Sequence, residues 1–333
     1  METLNYHTSG ISFTVPNSRI FMASNNWIVT SEDPNNHSSE IEAAQQEEEH
    51  LRKRKAKNFE LFASPLDGTE GMWVRLPIGN NFDRVELTLD DDTLIVSILD
   101  TWVGLSKILV VHLDKNGRYD EYPGFGELVD ILGVDGNILF LMHHVNERTQ
   151  NNYHVITPLA HALFQDKQSA LLDNGSITVI SGWNLQTGHV EFQRDVKGTV
   201  FPRLYRIYNG SRTIVVQHIC EDRSNDTYEI VSVPDMTVHL QIEGHVIDFL
   251  VHGHGVFYVS KADEKQYYAD FAGKSYLVNF EESPKDTVRT PSVLTASFDA
   301  GIVWIKRRYG ENWSYLVKYI LESDFGPSIC SYM

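Results

Sequence analysis

One pattern constrains this chain more than any other feature. An apolar, β-branched strand runs into a tight turn of Asp, Asn or Gly, and a second strand of the same kind follows. It reads RIFMASNNWIVT at 19–30, RVELTLDDDTLIVSIL at 84–99, LVDILGVDGNILFLM at 128–142 and QSALLDNGSITVI at 168–180. It returns as LYRIYNGSRTIVV at 204–216, VIDFLVHGHGVFYV at 246–259 and VLTASFDAGIVWI at 293–305. The seven turns centre on Asn25, Asp91, Asp135, Asn174, Gly210, Gly253 and Ala300. After a first interval of 66 residues their steps are 44, 39, 36, 43 and 47. A supersecondary unit recurring at that spacing cannot bury its own apolar face, and buries it by stacking on its neighbours. Val, Ile, Tyr and Phe alternate with turn clusters throughout, and helical periodicity is nearly absent, so the chain reads as all-β.

Most copies are followed by two further strand-like segments, such as SKILVVHLD and GRYDEYP after 84–99, or TYEIVSV and MTVHLQI after 204–216. Four strands per repeat at this period resemble the blades of the β-propeller superfold, over nearly the whole chain. The resemblance implies one domain spanning 1–333, a seven-bladed propeller. The last copy ends near YLVKYIL at 315–321 with room for three strands, while ISFTV at 11–15 has no other partner. An N-terminal strand completing the last blade would remove both exposed edges of the ring. The short interval around the fourth copy makes a six-bladed ring the alternative. Trp183-Asn184-Leu185-Gln186-Thr187-Gly188 is similar to the W-D-L-x-T-G stretch of WD40 repeats, with Asn in place of Asp. No other copy carries a Trp-Asp pair, so the chain is WD40-like in shape and divergent in sequence. That resemblance implies scaffolding or substrate-adaptor work.

Residues 35–57 account for the long first interval. Ser39 and Glu42 fit a capping box, acidic residues precede basic ones, and Glu48–Arg52 and Glu49–Lys53 fall at i,i+4. This reads as a charged insertion in the first blade, a solvated helix or a disordered loop, and its RKRKAK run also fits a docking or import patch.

The formal net charge of −17 over 333 residues repels phosphate backbones and anionic lipid, which argues against general nucleic-acid or membrane-surface binding. A basic protein or peptide would be attracted. No apolar run is long enough for a transmembrane helix, and no signal-peptide pattern stands at the start. Two cysteines, Cys220 and Cys330, make no disulfide framework and no zinc pair, which points to an intracellular setting, cytoplasmic or nuclear. Five N-x-[ST] sequons, headed by Asn36, Asn174, Asn209, Asn225 and Asn312, read mainly as turn chemistry and raise a lumenal glycoprotein as a third, weaker reading.

No phosphate loop, nucleophile elbow or H-E-x-x-H motif is present, so no catalytic residue, metal ligand or cofactor is assigned and an enzyme is disfavoured. The DDD at 90–92 reads as a turn, and His143, His252 and His254 as surface or turn histidines. Phe82, Phe125 and Phe201 recur before first strands and read as packing between blades. The expected function is a protein–protein interaction scaffold or adaptor that presents one loop face through Trp102, Arg148, Trp183, Arg307, Arg308 and Tyr309, the residue types of binding hot spots. The alternative is a propeller enzyme or a small-ligand or cation binder. It would use Glu86, Asp130 and Asp248, which fall five residues before their turns on strands expected to line a central channel.

Overall fold

The computed structural model describes residues 2–16, 21–24, 26–30, 59–67, 69–78, 84–100, 104–123, 130–146, 176–201, 203–219, 226–281, 292–296, 300–309 and 313–322. The charged insertion at 35–57 lies outside them. The described residues are strand almost throughout, with one short 3-10 turn at Leu113–Lys115.

The chain opens with a long strand, β1 (Glu2–Pro16). A first sheet follows, β2 (Phe21–Ala23), β3 (Trp27–Thr30), β4 (Phe59–Pro65) and β5 (Met72–Leu76). The second is β6 (Arg84–Asp90), β7 (Thr93–Asp100), β8 (Gly104–His112) and β9 (Arg118–Pro123). The third is β10 (Asp130–Asp135), β11 (Ile138–Asn146), β12 (Ser176–Asn184) and β13 (Val190–Val196). The fourth holds β14 (Thr199–Val200), β15 (Tyr205–Arg206), β16 (Arg212–His218), β17 (Thr227–Val233) and β18 (Val238–Glu243), with β14 and β15 both paired to β16. Next come β19 (Val246–His252), β20 (Gly255–Ser260), β21 (Gln266–Asp270) and β22 (Ser275–Phe280), and finally β23 (Ser292–Ala296), β24 (Ile302–Tyr309) and β25 (Trp313–Leu321). These last seven strands and β1 form one eight-stranded sheet. In it, residues 2–6 of β1 pair parallel with β22, and residues from Tyr6 to Pro16 pair antiparallel with β25.

Within a sheet, burial follows position. Residues 94–98 of β7 (LIVSI) are buried without a break, as a strand covered on both faces must be, whereas β9 (RYDEYP) is mostly exposed. Five of the expected turns sit on described residues, and all five lie between two successive strands that pair antiparallel: β6–β7, β10–β11, β15–β16, β19–β20 and β23–β24. Asp91 and Ala300 there adopt positive φ, of 46° and 58°, where a short polar or small side chain is tolerated.

The fourth repeat is where the chain departs from expectation. SITVI at 176–180 does not start a new sheet's second strand. It belongs to β12, which pairs along its whole length with β11 as the third strand of the third sheet. The W-N-L-Q-T-G stretch is the β12–β13 turn: Asn184 Oδ1 accepts from the N–H groups of Gln186 and Thr187, both at 3.0 Å. Asn serves here as Asp would, because the turn needs an acceptor two residues back.

Bonds between sheets run in sequence order. Ser24 Oγ donates to Asp91 O (2.7 Å), Thr88 Oγ1 to Ile131 O (3.3 Å), and Leu204 N to Leu132 O (3.0 Å). Tyr208 N donates to Gly253 O (2.6 Å) and Thr295 Oγ1 to Ser24 O, while inside the eight-stranded sheet Tyr6 OH donates to Ala300 O (2.8 Å). Apolar side chains fill the wedges between these contacts. Ala23 and Ile28 of the first sheet pack with Trp304 and Leu316 near the end of the chain. Phe201 packs with Phe249 (ring centroids 4.5 Å apart) and Tyr228, as its frame before a first strand predicts; Phe82 and Phe125 lie outside the described residues. The arrangement is all-β and propeller-like.

Candidate functional site

The β6–β7 turn presents three consecutive carboxylates, Asp90, Asp91 and Asp92, to three different sheets. Asp92 Oδ1 accepts from Trp27 Nε1 (2.9 Å) and Asn26 Nδ2 (3.0 Å) of the first sheet. Asp90 Oδ2 accepts from Val134 N (2.8 Å) of the third sheet, and Asp90 Oδ1 pairs with Arg212 Nη1 (2.9 Å) of the fourth. Arg212 also donates from Nη2 to Val134 O (2.8 Å) and lies 3.4 Å from Asp91 and 3.5 Å from Asp135. Arg206 spans Asp91 (3.4 Å) and Asp135 (3.2 Å).

The centre of this cluster is dry: the Arg212 and Asp90 side chains are 4% and 3% exposed. Burial pushes the Asp90 carboxyl up to about 6, against the opposing pull of Arg212. Burial alone would lower Arg212, but Asp90, Asp91 and Asp135 outweigh it and hold the guanidinium above its ordinary range. Gly133 makes room for the pair, since a Cβ there would lie 2.5 Å from Asp90 Oδ2.

A third arginine of the fourth sheet reaches elsewhere. Arg203, half-buried in the connection between β14 and β15, donates from Nη2 to Ala23 O of β2 at 2.8 Å. Its guanidinium carbon lies 5.2 Å from the centroid of the Tyr205 ring. Tyr205 is buried; that burial raises its hydroxyl, Arg203 lowers it and Asp248 raises it again. Arg203 and Asp248 therefore act on one buried phenol.

The residues singled out in the sequence fare unevenly. Glu86, Asp130 and Asp248 lie on β6, β10 and β19, the first strands of their sheets as expected, and all three are half-buried. Among the described residues no group of three or more His, Cys, Asp or Glu side chains could hold a metal ion. Trp183 is half-buried at the end of β12 and packs against the cluster of Ile108, Val110, Ile131, Val134 and Leu139, so it serves the interior. Arg307, Arg308 and Tyr309 end β24, paired in register with Tyr315, Ser314 and Trp313. Trp102 and Arg148 lie outside the described residues.

The histidines correct the expectation of surface positions. His143 is buried, with Nε2 3.1 Å from Ser181 Oγ. His252 is fully buried and stacks on Tyr268 at 5.4 Å. His254 does sit at a turn, stacked with the exposed Tyr208 at 5.9 Å. Asn209 is a turn residue as read, its Oδ1 accepting from Ser211 N at 2.9 Å. The arginines at 203, 206 and 212 were missed. What stands in the sequence is three guanidiniums within ten residues of an acidic chain that also carries a DDD run at 90–92.

No family model matches this chain, and no curated protein does. Among solved structures, it is similar to the β-propeller domain of the trilobed protease from Pyrococcus furiosus, described as having an open velcro topology. Identity there is 10%, the TM-score 0.42, and the match covers 89% of this chain and 79% of that one. It is also similar to the acylaminoacyl peptidase of Pyrococcus horikoshii, at 11% identity and a TM-score of 0.44, covering 89% of this chain and 43% of the other. The chain spans less than half the length of that peptidase. The fold is a divergent β-propeller.

The expectation of an interaction scaffold or adaptor is corrected here: the propellers found similar are those of a protease and a peptidase. Among the described residues no helix is long and apolar enough to cross a membrane.

Proposed function

We propose that this chain is a closed six-bladed propeller of the kind carried by peptidases, and that it holds an extended peptide at its axis without cutting it. Four separate sheets and the two halves of the eight-stranded sheet make the six blades, with β1 completing the last one. The chain of inter-sheet bonds supports a ring, because it returns from Thr295 to Ser24 in the first sheet.

The observation that carries the proposal is the bond from Arg203 Nη2 to Ala23 O. In a ring of six, the fourth and first blades stand opposite one another, so a side chain joining them lies across the axis. A guanidinium there, over the face of Tyr205, is a polar binding feature at the centre of the ring. Cutting has less behind it. The one serine–histidine pair among the described residues, Ser181 and His143, is 2% and 3% exposed and out of a substrate's reach.

Fluorescence anisotropy of labelled, unstructured peptides with the intact chain tests this reading. Saturable binding at one site per chain, with the peptide intact by mass spectrometry afterwards, is the expected result. No binding up to about 1 mM, which corresponds to roughly −4 kcal/mol, overturns it. Cleavage of the bound peptide overturns the statement that the ring only holds it.

A further inference from the structure

Three arginines of the fourth sheet reach residues of other sheets, and they are not alike. Arg206 and Arg212 share Asp90, Asp91 and Asp135 between them. Arg203 has a carbonyl, that of Ala23, as its hydrogen-bond acceptor and an aromatic face beneath it, and no carboxylate among the described residues lies within ion-pairing distance of it. In a chain of formal charge −17, a half-buried guanidinium left with a neutral acceptor is an unused anion site.

Its geometry is already set. Arg203 N donates to Phe201 O at 2.7 Å, and the next residue's N–H is tied to Leu132 O at 3.0 Å, which fixes the backbone that carries it. The guanidinium carbon lies over the Tyr205 ring, 5.2 Å from its centroid, and Tyr205 is itself packed into the core. A planar, donor-only fork held in one orientation suits the two oxygens of a carboxylate better than a single carbonyl oxygen. Replacing Ala23 O by a carboxylate would exchange a charge-neutral bond for a charge-assisted, bidentate pair.

We infer that Arg203 anchors the C-terminal carboxylate of the bound peptide. This rests on the axial peptide site proposed above and names the group that the site recognises.

The test compares one labelled decapeptide, free of Asp and Glu, as its C-terminal acid and as its C-terminal amide, on the intact chain and on Arg203→Met and Arg203→Lys variants. The acid should bind the wild-type chain at least about tenfold more tightly than the amide, the usual worth of a charge-assisted bond. That preference should vanish in Arg203→Met and survive in reduced form in Arg203→Lys, which keeps the charge but not the fork. Equal binding of acid and amide to the wild-type chain overturns the anchor while leaving the axial site standing. Failure of both peptides to bind overturns the axial site itself. Because the acid-to-amide ratio is read first on the unaltered protein, a misfolded variant cannot decide the outcome. A preference that persists undiminished in a folded Arg203→Met variant places the anchor on another residue and also overturns the inference.

Discussion

Replacing Arg212 by Met should destabilise the fold by about 3 kcal/mol at pH 7, and by clearly less at pH 5. The magnitude follows from what the change strands. Asp90, with its carboxyl already pushed up to about 6, would have to take up a proton to stay buried. At pH 7 that costs about 1.4 kcal/mol beyond what the native protein already bears, one pKa unit's worth. The carbonyl of Val134 loses its donor, at about 1–3 kcal/mol for a buried, unsatisfied acceptor. The methionine side chain fills most of the volume, so a cavity adds little. At pH 5 the Asp90 carboxyl is mostly protonated in both proteins, and only the Val134 part of the penalty remains.

The sign for the native protein is consistent with this. A carboxyl whose folded value is raised holds its proton more tightly in the native state. Its contribution therefore favours folding below the unfolded value of 3.8 and is lost as pH rises through about 6. Urea unfolding followed by tryptophan fluorescence at the two pH values measures both quantities. A penalty below about 1 kcal/mol at pH 7, or one that does not shrink at pH 5, would refute the account of this cluster as a buried, strained ion pair.

Two further outcomes follow from the packing. Gly133→Ala should cost about 2 kcal/mol or more, because the added methyl meets Asp90 Oδ2 at 2.5 Å and Leu204 Cβ at 2.9 Å; thermal unfolding of the variant checks it. Phe257→Ala should cost about 3–5 kcal/mol, because this fully buried ring touches Tyr6, His252 and Tyr268, and equilibrium denaturation would expose a smaller role.

What could be read from the sequence, and what could not, divides along the range of the contacts involved. A hairpin is local: strand, turn and strand lie within some fifteen residues, so Asp91, Asp135, Gly210, Gly253 and Ala300 were legible as turns from composition alone. Pairing across a long excursion is not. β11 and β12 are joined over residues 147–175, and the DNG at 173–175 offers a plausible local turn for SITVI, so periodicity favours a hairpin that the third sheet does not use. Burial of polar residues was hidden for the same reason. His252 flanks a turn glycine in sequence, yet the stacked Tyr268 and Phe257 come from the next two strands. The channel-strand positions of Glu86, Asp130 and Asp248 were legible by counting back from turns. The arginines were not, because a guanidinium on one repeat finds its carboxylates on two others, and nothing in a single repeat records that.

The pairing of β1 with β22 and β25 has a bearing on synthesis. Residues 2–16 leave the ribosome before the sheets that follow them, and their antiparallel partner, residues 313–321, comes some 300 residues later. At about 5–20 residues per second, the leading strand waits roughly 15–60 seconds before its last neighbour exists. Leu4 and Tyr6, among the most deeply buried side chains of the finished protein, are without their final surroundings throughout that wait. A nascent chain of this design offers an unpaired, partly apolar strand to any other open sheet edge nearby, including that of a second copy on the same message. Slower elongation through the final sheet would therefore raise the yield of entangled chains without altering the stability of the folded one.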